Sequence, residues 1–203
     1  MRNTPKPLHA SHPWASNSAP RDREAKIYQT VDAESFKKGM RQLASAVSVI
    51  TTSDGSGARA GFTATALCSV SAEPPQLLVC VNQQISTCAK IHAWRSFCVN
   101  VLSSAQMPIA RRFAGQAIAP GERFDAGDWS TLVTGAPVLK GCPVNFDCTV
   151  AQELPAGTHM IFIGGIAAVS VISGLEPLAF MDGQYLNVGA TKRGHDAELW
   201  DWS

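Results

Sequence analysis

Residues 61–75 read GFTATALCSVSAEPP, a run of small and hydroxylated side chains where a buried strand ordinarily carries Val, Ile, Leu and Phe. Two readings are open. The run is either a strand at a crowded crossing or a cradle for a planar cofactor whose ring approaches the main chain. In the second case Thr63, Thr65, Ser69 and Ser71 add hydroxyl groups that reorient freely. Just downstream, NQQISTCAKI sets Asn82, Ser86, Thr87 and Lys90 around a helix start. A first helical turn presents unpaired N–H groups and positive dipole potential, which suits a phosphate, and Lys90 would add a full charge. Plain capping and a solvated lysine account for the same residues, yet beside the cradle the two features read as one nucleotide site. Of the histidines at 9, 12, 92, 159 and 195, His159 stands apart. It opens a long apolar strand after PAGT, either as surface decoration or facing a ligand.

Other chemistry finds little footing. Gly55 to Ala60 spells GSGARA and satisfies the loose dinucleotide pattern G-x-G-x-x-G/A. A Rossmann unit then needs an apolar helical stripe and, about 20 residues on, an acidic side chain. Thr63, Thr65 and Ser69 break the stripe, and QLLVCVN ends in Asn82. A hairpin loop suffices for SDGSG. With no G-x-S-x-G, P-loop or H-E-x-x-H present, a hydrolase triad has no anchor. Cysteines at 68, 80, 88, 98, 142 and 148 form no C-x-x-C pair and mostly sit among apolar residues, as small hydrophobes do. Neither a disulfide framework nor a metal site is expected, and the reduced thiols suggest a cytoplasmic protein.

The elements that must position these residues follow from period and punctuation. Asp32 is placed to cap a helix with Phe36, Met40 and Leu43 on its apolar face. SAVSVITT reads as a strand, SDGSG as a turn, residues 61–75 as a second strand and QLLVCVN as a third. STCAKIHAW is a helix capped by Ser86 or Thr87, with His92 structural within it. FCVNVLS is a strand, and SAQMPIARRFAG a short helix that tolerates Pro108 in its first turn. Residues 120–135 read as loop. VNFDCTVAQEL and HMIFIGGIAAVSVI pair about PAGT, and PLAF and QYLNV form a hairpin at Asp182-Gly183. Many strands with a few short helices make the fold class mostly β, an antiparallel barrel or sandwich.

At 203 residues, one domain is expected at 32–190, between a flexible arm at 1–31 rich in Pro, Ser and Asn and a Trp-bearing tail at 191–203. Lys plus Arg number 17 against 16 Asp plus Glu, a balance that gives no reason to expect a nucleic-acid partner. No apolar run approaches the roughly 20 residues of a membrane helix.

Six segments in register carry a family resemblance: FKKGMRQLASAVSVITT, GFTATALCSVSAEPPQLLVCVNQQISTCAKI, FCVNVLSSAQMPIARRFAG, RFDAGDWSTLVTGAPVL, GTHMIFIGGIAAV and PLAFMDGQYLNV. Residues from about 36 to 187 thereby resemble the flavin reductase components of two-component flavin-dependent monooxygenases. The resemblance implies an FMN-binding split β-barrel, an antiparallel Greek-key barrel, assembled as a homodimer with FMN or FAD at each side of the subunit interface. It implies that Thr63, Ala64, Thr65, Ala66, Ser69, Val70 and Ser71 lie along the isoalloxazine ring. Asn82, Ser86, Thr87 and Lys90, in the segment 82–90, would lie along the ribityl chain and phosphate, and Cys80, Val81 and the loop residue Phe124, beside Arg123, would also bind the cofactor. His159, Arg112 and Phe113 would face the NADH or NADPH co-substrate.

The implied activity is an NAD(P)H:flavin oxidoreductase releasing diffusible reduced flavin to a separate oxygenase component. Two alternatives share the fold: a tightly bound FMN reducing a corrinoid, ferric chelate or quinone, or a flavin- or haem-binding protein without turnover. Members of the family often carry Gly within the stretch matching RQLASAV and Asn-Ser within that matching TATAL. Here those positions hold Ala or Ser, and Thr65-Ala66.

Overall fold

The computed structural model describes residues 30–115 and 118–188, so the arm up to residue 29 and the tail at 191–203 lie outside the described residues. The strands in chain order are β1 (Ser45–Ala46), β2 (Ser48–Ser53), β3 (Arg59–Ala64), β4 (Leu67–Ala72), β5 (Pro75–Asn82) and β6 (Ser96–Val101). After them come β7 (Trp129–Thr131), β8 (Pro137–Leu139), β9 (Val144–Ala156), β10 (His159–Val171), β11 (Leu178–Met181) and β12 (Gln184–Asn187). The helices are α1 (Ala33–Arg41), α2 (Ser86–Trp94) and α3 (Met107–Ala114).

The run at 61–75 is not one strand. It breaks at Thr65-Ala66 into β3 and β4, and these lie at opposite edges of a seven-stranded antiparallel sheet of order β3-β2-β6-β9-β10-β5-β4. The break is held by Leu67 N donating to Thr65 O at 3.1 Å and Cys80 N donating to Ala66 O at 3.2 Å. Three peptide units from Ala64 to Leu67 reach at most about 11 Å, so the two edges must meet at that end. The sheet therefore curls into a barrel that stays split elsewhere along the seam.

Inside, β5 alternates as a half-buried strand should: Leu77, Val79 and Val81 point inward, while Cys80 and Asn82 turn to the other face. One core packs Ile50, Val79, Val81, Ile91, Phe97 and Phe162. A second packs Val49, Leu102, Phe113, Phe124, Leu139 and Leu178. At Gly164 the backbone passes so close that a Cβ would lie 2.6 Å from the Phe97 ring, next to a register shift between β9 and β10. Buried Asn100 ties β8 to the sheet: its Oδ1 accepts from Leu139 N and Asn145 Nδ2, both at 2.8 Å, and its Nδ2 donates to Val49 O at 3.0 Å.

Several local expectations are revised. Asp32 does cap α1, its carboxylate accepting from Ser35 N at 2.8 Å, but Phe36, Met40 and Leu43 remain 58, 48 and 55% exposed. The N-cap of α2 is Ile85, with no side-chain capping bond, rather than Ser86 or Thr87. The segment 120–135 contains a 3₁₀ turn at Glu122–Asp125 and strand β7. The Asp182-Gly183 hairpin forms as read. Among the described residues no helix is long and apolar enough to cross a membrane, and no cluster of His, Cys, Asp and Glu could hold a metal ion.

Candidate functional site

A cleft of about 510 Å³ opens where the β3 edge, the end of β5, the start of α2 and the end of α3 converge. That lies within the range of small-molecule sites. Of the residues singled out from sequence, Thr63, Ala64, Thr65, Ala66, Cys80, Asn82, Ser86, Thr87, Phe113 and His159 line it. Strand alternation brings Cys80 and Asn82 to one face, and His159 joins them because it pairs with Asn82 across β5 and β10.

The edge strand supplies main-chain groups. Arg123 Nη1 donates to Gly61 O at 3.1 Å, so that carbonyl points away from β2. Alternation then turns the N–H and C=O of Thr63 to the same open side. The Thr63 hydroxyl is already engaged, donating to Ala110 O at 2.6 Å, so its proton is spent on α3 and the main chain remains. At the other wall, Asn82 Oδ1 accepts from Gln84 N at 2.9 Å and folds the chain into α2. With Ile85 as N-cap and no acidic residue in the first turn, the N–H groups at the start of α2 are open to an anion. His159 sits at the mouth, its Nδ1 2.9 Å from Thr158 Oγ1 and its carbonyl accepting from Gln83 Nε2 at 2.9 Å.

Among the described residues no carboxylate lines the cleft, and Arg123 is the one guanidinium in its wall. Burial pushes the Cys80 thiol up, so it stays a neutral, poor nucleophile near neutrality. Main-chain donors and acceptors, an open helix N-terminus and no acid–base pair suit a planar heteroaromatic carrying a phosphate. A flavin fits that donor set.

Seven expected positions fall elsewhere. Ser69 and Ser71 follow the break and line a different groove, beside Pro75 and Leu77; Val70 between them is 43% exposed. Val81 points into the core, fully buried, as its neighbours' alternation requires. Lys90 lies a turn beyond Ser86, its ammonium 5.6 Å from the centre of the Trp94 ring. Phe124 is buried in an aromatic cluster, edge-on to Phe113 at 5.1 Å and to Trp129 at 5.0 Å, with the Arg59 guanidinium 4.7 Å above it. Arg112 donates from Nε to Arg123 O at 3.0 Å and from Nη2 to Glu122 O, bracing the loop instead of facing a ligand.

Sequence reasoning left Phe62, Gln84, Ile85, Ala114, Gly115 and Pro120 unassigned, and gave Arg123 no defined role; all seven line the cleft. Ile85 and Gln84 could have been found, since the turn into a phosphate-binding helix must itself face the phosphate. The segment from Ala114 to Arg123 carries no periodic signal and reaches the cleft only through tertiary contacts.

Comparison with known proteins points the same way. The family model described as flavin reductase like domain matches residues 40–189. The FMN reductase (NADH) RutF of Bradyrhizobium diazoefficiens is 42% identical over 163 residues, covering 80% of this chain and 89% of that protein. Among solved structures, BorF, the flavin reductase component of a bacterial two-component tryptophan halogenase, is similar at 28% identity with a TM-score of 0.71, over 77% of this chain and 98% of that one. The NADH:FAD oxidoreductase SgcE6 of Streptomyces globisporus, in complex with NAD and FAD fragments, is similar at 26% identity with a TM-score of 0.73, over 81% of this chain and 99% of that one.

Proposed function

The chain belongs to the flavin reductase like domain family, and from that premise we propose that it is an NAD(P)H:flavin oxidoreductase passing reduced FMN or FAD to a separate oxygenase. The observation that carries this reading is the cleft itself, lined by main-chain groups and an open helix start and, among the described residues, by no carboxylate. Hydride transfer from nicotinamide C4 to flavin N5 is chemistry the two ring systems supply. The protein needs to stack the rings and exclude water, and no side chain need exchange a proton in that step. The main chain of Thr63 pairs with the ring edge, and the first turn of α2 at Ser86 and Thr87 holds the phosphate. Phe113 and His159 flank the space for the nicotinamide. A His159→Ala change lowers kcat/KM for NADH about tenfold, roughly 1.4 kcal/mol, while flavin affinity stays near wild type.

The domain at 32–190 works as a homodimer in this reading. Among the described residues nothing covers the apolar side of α1 or the groove of about 560 Å³ between Met40, Leu43, Phe180 and Met181. That groove shares Thr65 and Ala66 with the cleft, so a second copy seated there would lie against the back of the flavin site. Six free thiols suit a reducing, cytoplasmic compartment.

The test is NADH and NADPH oxidation at 340 nm with FMN, FAD, riboflavin or no added flavin. Turnover that rises with free flavin supports a diffusible product. Full turnover without added flavin would replace this reading with a resident cofactor and another acceptor. Flavin binding with no oxidation at all would sink the enzymatic reading.

A further inference from the structure

We infer that Arg123 is the residue that stabilises the charge placed on the flavin by reduction, an inference that rests on the flavin reductase reading above. Hydride carries one proton and two electrons, so the flavin ring gains one net negative charge as the nicotinamide becomes cationic. A cation fixed beside the ring favours the product of that transfer without having to reorganise.

Arg123 meets the requirement by the way it is tethered. Its Nε donates to Ile118 O at 3.4 Å, Nη1 to Gly61 O at 3.1 Å and Nη2 to Gly115 O at 2.7 Å. A guanidinium has five N–H donors, so one on each terminal nitrogen is left over. All three acceptors are neutral carbonyls: the group is held rigidly and its charge is not cancelled. Among the described residues it has no carboxylate partner, and the five ion pairs are made by other side chains. Of the other cations, Arg112 is turned to the carbonyls of residues 122 and 123, Lys90 to Trp94 and Arg59 to the Phe124 ring.

Its place along β3 matters equally. Gly61 O, which it binds, lies one strand repeat, about 7 Å, from the main-chain groups of Thr63 on the same open edge. By occupying that carbonyl, Arg123 makes Thr63 the first free pairing position and sets its own charge next to it. Half-buried, it is less screened than a surface lysine would be.

A merely structural strap would also use these hydrogen bonds, so the test must separate charge from tether. Dissociation constants for oxidised and, under anaerobic conditions, reduced FMN are measured for wild type, Arg123→Gln and Arg123→Lys, with thermal melts alongside. The ratio of reduced to oxidised affinity falls about tenfold in Arg123→Gln, equivalent to about 30 mV for a two-electron couple, and stays within about threefold of wild type in Arg123→Lys. If both variants weaken both redox forms equally and leave the ratio unchanged, the inference is overturned. Wild type gives an arm that needs no variant to fold. The phosphate contributes equally to both forms and cancels from the ratio, so wild type itself must bind reduced FMN at least about tenfold more tightly than oxidised FMN, equivalent to about 30 mV. A wild-type ratio near one also overturns it. Wild-type NADH oxidation with FMN, run on the same preparation, reports on the reading beneath: no turnover, or no binding of either form, sinks that reading. Normal turnover with an unchanged ratio sinks the role of Arg123 alone.

Discussion

Gly61→Ala is the smallest perturbation that tests how the site is built. A Cβ at position 61 would lie 2.9 Å from Ile50 O and 2.9 Å from Phe113 Cε1, with Phe113 Cδ1 at 3.2 Å. Carbon atoms pack favourably at about 3.5–4.0 Å, so both nearest contacts are strongly repulsive. Neither neighbour yields easily. Ile50 O belongs to the β2 backbone, paired with β3 on one side and β6 on the other. The Phe113 ring is 1% exposed and wedged against Phe124 and Trp129, with centroids at 5.1 and 5.6 Å.

Overpacking of this kind costs about 1–3 kcal/mol. For a chain of this size each kcal/mol moves Tm by about 2–4 °C, so Gly61→Ala should melt roughly 2–12 °C below wild type. Because Phe113 also lines the cleft, FMN affinity should fall with it. Phe113→Leu in the same chain removes the ring that the new methyl meets. A double-mutant cycle from urea unfolding should then show the second change relieving the first, with a coupling of about 0.5–3 kcal/mol. Melting within a degree of wild type, or a coupling near zero, would refute the claim that Gly61 exists to admit the Phe113 ring.

Other consequences follow from the charges and thiols. The hydrogen bond from His92, with the Arg95 guanidinium beside it, holds the Glu153 carboxyl below the ordinary carboxylate range. A depressed folded-state value gives stability that is present above the unfolded value and lost as pH falls through the folded one. Glu153→Gln should therefore cost under about 1 kcal/mol at pH 7, the partners being largely exposed, and the difference from wild type should shrink as pH falls below the ordinary carboxylate range; urea midpoints at pH 7 and under acid conditions check it. Burial pushes Cys142 up to about 11 and Cys148 up to about 12, and Cys98 well above its ordinary value. A native thiol titration at pH 8 should label exposed Cys68 first and half-buried Cys80 slowly, with FMN protecting Cys80 and the other four appearing only in denaturant. Ser86→Glu places a negative charge in the first turn of α2, so FMN affinity should drop about tenfold while riboflavin binding is unchanged. Equal losses for both would remove the phosphate from that helix end.

How much of this could be read in advance depends on the range of the interaction responsible. The β9–β10 pair, the Asp182-Gly183 hairpin and the tolerance of Pro108 in α3 rest on period and turn chemistry, which are local, and they form. Asn82, Ser86 and Thr87 were legible for the same reason, as a turn entering a helix. Val81 and Lys90 were misplaced although the signal existed: Val81 alternates with Cys80 and Asn82, and Lys90 is a turn beyond Ser86. The break at Thr65-Ala66 left no such signal, because small and hydroxylated residues continue on both sides of it. What creates it is the bond from Cys80 N to Ala66 O, fourteen positions away along the chain. Arg123, read only as a loop position beside Phe124, likewise gave no local sign of its role: its donors go to the carbonyls of residues 61, 115 and 118.

The composition of residues 61–66 then has two causes in one stretch. Gly61 is small because an aromatic ring from α3 occupies the space its side chain would take. Ala64, Thr65 and Ala66 are small for a different reason: they carry the chain from one sheet edge to the other, and Thr65 and Ala66 form a wall shared by two cavities. A large side chain at Ala66 would have to enter either the flavin cleft or the groove beside α1, which is also the surface assigned to the second copy. If flavin occupies the cleft and a second copy the groove, as proposed, binding and assembly would be coupled through Thr65-Ala66, which line both. A substitution such as Ala66→Leu should disturb both together, whereas one at Met40, on the far wall of the groove, should weaken assembly first.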